Sequence, residues 1–314
     1  MNNNISKTLT EVKKSIYGKD QVLLKIMAAI ISGGNILMED RPGCGKTTIA
    51  LSFSKALNLD YKRVQFTNDL MPSDIIGYEM YDKNAGNMKF VKGPVFTNLL
   101  LADEINRTSS KTQSALLQAM EEQKVTINGN EEKLDDPFIV IATQNPFGNA
   151  GTNLLPPAQM DRFIISLSVG YPSVNDEIEI LKSRNGVNPV LNLNSAMDKK
   201  NILEIRNQVE NVYVDDSIYQ YIVSLVSSTR NNPQIDIGSS PRGSLALTKM
   251  SKAWAYIHDR DYVIPDDVSD VFVDVMTHRI TLKNGELYCI SLNRTNILTT
   301  ILNSVSKPTV RKRR

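Results

Sequence analysis

With 314 residues, 41% of them apolar and 22% charged, the chain is long enough for two domains and a sizeable core, and its composition is that of a globular protein rather than a disordered or fibrous one. The net charge is +2, and five basic side chains (Lys307, Arg311, Lys312, Arg313 and Arg314) crowd the last eight residues. Without that tail the balance becomes −3, so the body lacks the basic surplus with which a general nucleic-acid binder neutralises phosphates.

The first predicted strand, 35–39, is short and apolar and runs into Asp40-Arg41-Pro42-Gly43-Cys44-Gly45-Lys46-Thr47-Thr48. A helical pattern follows over 49–57. Strand, glycine loop, Lys-Thr and helix is the layout that wraps a nucleotide triphosphate. The glycines let backbone N–H groups turn inward towards phosphate oxygens, and the helix N-terminus adds partial positive charge there. In this reading Lys46 contacts the outer phosphates and Thr47 offers its hydroxyl to Mg²⁺. The general pattern has a glycine where this chain has Asp40, while Gly43 and Gly45 remain. A plain Gly-rich turn is the competing reading.

A strand over 62–66 comes next. Asn84-Ala85-Gly86-Asn87, flanked by Met80/Tyr81 and Met88/Phe90, predicts a hairpin over about 78–92. The run Leu99-Leu100-Leu101-Ala102-Asp103-Glu104 reads as a strand buried on both faces. Its C-terminal end, where open α/β sheets bind ligands, carries two adjacent carboxylates. Asp103 is expected to hold the Mg²⁺ shell, and Glu104 to orient and polarise an attacking water. An acid pair favoured by a helix dipole is the alternative. Val125-Thr126-Ile127 and Asn128-Gly129 predict a second hairpin over about 123–134. Both hairpins fall outside a minimal nucleotide-binding sheet, as surface decoration or as contacts with a substrate or neighbouring subunit. Strands at 138–143 and 163–168 complete the alternation.

After Pro172 the pattern becomes helical throughout, over 176–183, 199–209, 216–229, 242–258 and 266–280. The expected architecture is α/β: a nucleotide-binding core at 1–171 with a parallel sheet covered by helices, an α-helical lid at 172–306, and a basic tail at 307–314. The tail reads as solvated, with a weak contact to anionic lipid or RNA as the alternative. Cys44 and Cys289 cannot form a disulfide framework or a multi-Cys zinc site, and a cysteine in the phosphate loop suits a reducing compartment. His258 and His278 read as ordinary polar helix residues. No 18-residue apolar run and no secretory N-terminal pattern is present, so no integral membrane segment and a cytoplasmic location are expected.

Leu101-Ala102-Asp103-Glu104-Ile105-Asn106-Arg107 and Lys111-Thr112-Gln113-Ser114-Ala115-Leu116-Leu117 closely resemble the MoxR family of AAA+ ATPases. So do Gln65-Phe66-Thr67, Pro72-Ser73-Asp74-Ile75, Gly93-Pro94-Val95-Phe96, Ala142-Thr143-Gln144-Asn145-Pro146, Asp161-Arg162-Phe163 and Ser240-Pro241-Arg242. The resemblance runs from about residue 16 to about 268 and implies ATP and Mg²⁺ as ligands. It implies that Asn145 is the sensor that hydrogen-bonds the γ-phosphate or the attacking water. Arg162 is then the arginine finger that reaches a neighbouring subunit's nucleotide, with Arg107 as runner-up. Arg242 corresponds to the second sensor, and Ile16-Tyr17-Gly18 to the segment lining the adenine. With Tyr17 and Gly18, the loop residues Pro42, Gly43, Cys44, Gly45, Lys46, Thr47 and Thr48 make up the expected nucleotide contacts. Pro157 and Asn68 depart from the family's usual Glu and Pro. The hairpins correspond to inserts that tend to face the ring pore or a client.

The resulting expectation is a Mg²⁺-dependent ATP hydrolase in a homo-oligomeric ring, a hexamer, that remodels, assembles or activates protein complexes. A von Willebrand factor A domain protein is the expected partner, and a protein client the expected substrate. Two rivals are a nucleotide-gated scaffold with little turnover and a DNA-directed AAA+ protein. The missing basic stripe speaks against the second. The absence of an Asn-Lys-x-Asp motif speaks against a GTPase.

Overall fold

The computed structural model describes residues 2–41, 43–84, 86–145, 155–183, 188–283 and 290–309. Pro42, Pro146, Cys289 and the tail residues Arg311, Lys312, Arg313 and Arg314 lie outside them. Two helices come first, α1 (Asn3–Lys13) and α2 (Asp20–Ile31). In α2 Leu23 is buried, and from Ile26 to Ile31 every residue is, so the second half of this helix is enclosed on all sides. Then come β1 (Ile36–Glu39), α3 (Lys46–Ala56), β2 (Tyr61–Gln65), α4 (Pro72–Ile76), β3 (Gly77–Asp82), β4 (Asn87–Lys92) and β5 (Leu99–Asp103). They are followed by α5 (Ser110–Glu122), β6 (Lys124–Ile127), β7 (Asn130–Lys133), β8 (Ile139–Gln144), α6 (Pro157–Met160) and β9 (Ile165–Leu167). The remainder holds α7 (Val174–Ser183), α8 (Lys199–Glu210), α9 (Asp216–Arg230), β10 (Ile235–Ile237), α10 (Pro241–Ile257), α11 (Pro265–Met276), β11 (Thr281–Leu282) and α12 (Ile290–Ser304).

The central sheet has five strands in the order β2-β5-β8-β1-β9. Every pairing in it is parallel. All the C-terminal strand ends therefore share one edge, and the loop after β1, the acids after β5 and Asn145 after β8 emerge there together. The two sheet faces bury two separate apolar clusters. Ile36, Met38, Leu99, Leu101, Ile139 and Ile141 face one cluster. Leu37, Leu100, Ala102, Val140 and Ala142 face the other, as the period-2 alternation of a strand requires. Strands buried on both faces carry uninterrupted apolar runs, and this is why the sequence reads so plainly.

Ile202 of α8, Leu225 of α9 and Met250 of α10 belong to the same cluster as Ile26 of α2 and Phe53 of α3. The helices after Pro172 thus continue the packing of one sheet face. Their starts are capped: the side chains of Asp198, Asp215 and Ser240 accept backbone N–H groups of α8, α9 and α10. The expectation of helix throughout this region needs one correction. β10 and β11 pair antiparallel, joining the segment before α10 to the one after α11 through Ile235 and Leu282. A second correction concerns His278, which is 1% exposed in the 3₁₀ turn after α11 rather than an ordinary polar residue on a helix.

Both hairpins are present: β3 pairs β4, and β6 pairs β7. Asn128 and Gly129 both take positive φ, 48° and 86°, as a two-residue type I′ turn demands. The hairpins touch, with Asn128 Nδ2 donating to Glu79 Oε2 at 2.7 Å. The first presents Tyr78, Met80, Tyr81 and Met88 to solvent.

Candidate active site

The phosphate loop is shaped by backbone geometry. Gly43 and Gly45 have φ of 86° and 84°, which only glycine adopts without strain. A Cβ on either would meet no described atom within 4 Å, so it is the backbone conformation and not packing that calls for glycine. Gly45 is the cap of α3 and supplies no side chain to satisfy the first N–H groups of that helix, as suits an anion site. Lys46 Nζ donates to Asp40 O at 2.7 Å and Arg41 O at 3.0 Å. Asp40 lies outside the positive-φ region, so its backbone needs no glycine. Its carboxylate is a staple: it accepts from Gly170 N at 2.6 Å, Arg41 N at 2.9 Å, Ser168 Oγ at 3.2 Å and Cys44 Sγ at 3.5 Å. Burial alone would raise its pKa, but the Gly170 and Arg41 N–H groups, Cys44 and the Lys46 charge outweigh that and hold it below the ordinary value. Cys44 responds the other way: burial, then the Asp40 charge, push its thiol pKa up.

A cavity of about 170 Å³ opens beside the loop, lined by Ile16, Tyr17, Gly43, Cys44, Thr48 and Gly170 among others. The sequence-predicted adenine segment and phosphate loop are therefore adjacent. Gly18 is not among the lining residues. With φ of 66° it lies so close to α7 that a Cβ would sit 2.0 Å from Asp176 Oδ2. Its requirement for glycine is thus explained by the turn and by packing.

At the same sheet edge, Asp103 Oδ1 accepts from Thr143 Oγ1 at 2.6 Å and Oδ2 from Arg63 Nη2 at 2.7 Å. The backbone N–H of Glu104 donates to the same Thr143 hydroxyl at 2.9 Å. Glu104 has φ 56° and ψ 49°, a left-handed conformation that costs a non-glycine residue about 1–3 kcal/mol and tends to mark functional positions. Arg107 Nη1 pairs with its carboxylate at 2.6 Å. Asn145 stands at the end of β8, and its carbonyl accepts from Asn106 Nδ2 at 3.3 Å. The oxygen donors Thr47 Oγ1 and Asp103 are the hard ligands that Mg²⁺ prefers, so the residues present fit that ion.

Arg162 and Arg242 lie elsewhere. They line a second cavity, of about 290 Å³, together with Gly34 and Asn35 at the start of β1. Among the described residues, none lines both cavities. The phosphate loop follows the end of β1 and the second cavity reaches its start, with a strand of four residues, roughly 13 Å long at about 3.3 Å per residue, between them. Arg242 therefore stands with Arg162 and not beside the chain's own phosphate loop. Glu121 contacts both arginines. Behind them Asp161 is fixed by Arg279 Nε at 2.8 Å and by Ser240 Oγ at 2.7 Å. Burial draws the Arg279 pKa down to about 10, with Asp161 opposing. Arg63, Glu121 and Arg279 were invisible to sequence reasoning because nothing in their local pattern announces a partner.

A profile of the ATPase family associated with various cellular activities (AAA) matches residues 35–165, and one of the AAA lid domain matches 227–287. Chaperone MoxR1 of Mycobacterium tuberculosis is 36% identical over 98% of this chain and 83% of its own length. The uncharacterized protein YeaC of Bacillus subtilis is 44% identical over 88% of this chain and 87% of its own. A crystal structure from Cytophaga hutchinsonii, described as a candidate ATPase, superposes with a TM-score of 0.89 at 38% identity, covering 98% of this chain and 96% of that one. With its phosphate loop, paired strand-end acids and parallel five-stranded sheet, the chain belongs to the MoxR family of AAA+ ATPases.

Proposed function

We propose that this chain hydrolyses ATP at a site shared by two copies in a ring, a hexamer, and that the work remodels, assembles or activates protein complexes. The separation of the phosphate loop from Arg162 and Arg242, at opposite ends of β1, carries this reading. Two groups needed for one reaction then meet only when a second copy docks. Loop N–H groups and Lys46 hold the phosphates, and Tyr17 flanks the base. Glu104 takes the proton of the attacking water, and Asn145 orients that water. Arg162 and Arg242 of the adjoining copy stabilise the charge that develops on the γ-phosphoryl oxygens. Thr47 and Asp103 would hold Mg²⁺, which neutralises phosphate charge when bound.

The name of the mycobacterial relative, Chaperone MoxR1, supports a protein client. The family resemblance supports a partner with a von Willebrand factor A domain, and the −3 balance of the body supports no specific nucleic-acid partner. No described helix is long and apolar enough to cross a membrane. The free thiol of Cys44 suits a cytoplasmic setting. Core and lid remain proposed units, 1–171 and 172–306, whose relative motion transmits the work. The reading is tested by steady-state phosphate release from wild type beside Glu104→Gln. The variant is expected to bind ATP normally and to turn it over at least about 100-fold more slowly. Equal rates would favour a nucleotide-gated scaffold instead.

A further inference from the structure

Glu121 stands near the end of α5 with its carboxylate between guanidiniums from distant parts of the chain. Its Oε2 lies 3.0 Å from Arg162 Nε, and its Oε1 accepts a 2.7 Å hydrogen bond from Arg242 Nη2. Two guanidiniums this near one another repel, and each side chain has many rotamers open to it unless a partner selects one. We propose that Glu121 is a positioning residue that holds Arg162 and Arg242 as one cationic unit, presented to the γ-phosphate of an adjoining copy's ATP. The inference rests on the shared-site reading above.

The second carboxylate of the cavity, Asp161, does not substitute for Glu121, because its two oxygens are engaged by Arg279 and Ser240. Arg162 Nε is buried and close to Glu121, yet its N–H is not aimed to make a hydrogen bond. The contact is therefore an ion pair, and Arg162 keeps donor capacity for an incoming anion. Arg242 belongs to α10 and Glu121 to α5, so the same carboxylate also links the region after Pro172 to the finger. A shift of α10 relative to the sheet is then felt at Arg162 through Glu121.

Glu121 is half-exposed, so its replacement does not open the core. The test titrates ATP against phosphate release for the full chain, at protein concentrations where the wild-type rate per protomer has levelled off. Glu121→Gln is expected to lower kcat at least about tenfold while KM and the Kd of a fluorescent ATP analogue stay within about twofold. Glu121→Asp, which keeps the charge, is expected to recover part of the loss. In an Arg162→Ala background the Gln substitution is expected to add less than about twofold, because the two changes remove one interaction. Wild-type kcat in Glu121→Gln, or an undiminished loss in the Arg162→Ala background, would overturn the proposal alone. A wild-type rate per protomer that never rises with concentration would overturn the shared-site reading itself, and the proposal with it.

Discussion

Restoring the general phosphate-loop pattern by Asp40→Gly is expected to harm this protein. Asp40 is 8% exposed, and its carboxylate accepts hydrogen bonds from Gly170 N at 2.6 Å and Arg41 N at 2.9 Å. Hydrogen bonds to charged groups are worth about 1.5–3 kcal/mol each. Removing a buried carboxylate recovers part of its desolvation cost, while glycine adds about 0.5–1 kcal/mol of chain entropy to the unfolded state. The net expected loss is about 2–4 kcal/mol. For 314 residues, an unfolding entropy of about 2.1 cal/mol/K per residue converts this to a fall in Tm of roughly 3–6 °C. Circular dichroism melts of wild type, Asp40→Gly and Asp40→Asn measure it, and the isosteric Asn, which keeps one acceptor, is expected to lie between the others. Because the folded pKa of Asp40 is depressed, its contribution is present above the unfolded value of 3.8 and is lost as pH falls through the folded one. A Tm for Asp40→Gly equal to or above that of wild type would refute the staple.

Burial, and then the Arg279 charge, hold the pKa of His278 well below 6.5. The unfolded chain therefore takes up a proton first, and stability is expected to fall as pH drops below 6.5, by up to about 1.4 kcal/mol per pH unit more than in His278→Asn, read from urea melts at pH 7.5 and 5.5; parallel pH profiles would count against this. Cys44, its pKa raised by burial and Asp40, is expected to react with iodoacetamide at pH 7.5 more slowly than free cysteine, and more slowly still with ATP present. Labelling at the free-cysteine rate, unaffected by ATP, would contradict its place in the loop.

Much of the fold was legible because the parallel strands are buried on both faces. Leu99 to Ala102 and Ile139 to Ala142 have no polar interruption, and the observed strand ends fall within two residues of those expected. Asn128-Gly129 announced its hairpin through turn chemistry. Gly43, Gly45 and Lys46 announced the loop, since only such residues can shape it. Partner choice was not legible. Arg63 meets Asp103 across 40 residues of chain, and Arg242 meets Glu121 across 121, so only the tertiary fold brings them together. Asp40 read as a missing glycine because its service lies in Ser168 and Gly170, beyond the far end of β9. His278 read as an ordinary polar helix residue because its setting depends on distant Phe163, whose carbonyl it meets at 2.9 Å.

The shared site is tested most directly by mixing two inactive variants. Lys46→Ala lacks the phosphate contact but keeps Arg162, and Arg162→Ala keeps its loop but lends no guanidinium. Each alone is expected to release phosphate at least about 1,000-fold more slowly than wild type. An equimolar mixture, allowed to exchange subunits, is expected to regain a substantial fraction of the wild-type rate, because intact loops then meet intact arginines at some interfaces. A mixture no faster than the average of its parts, from subunits shown to co-assemble, would contradict the account.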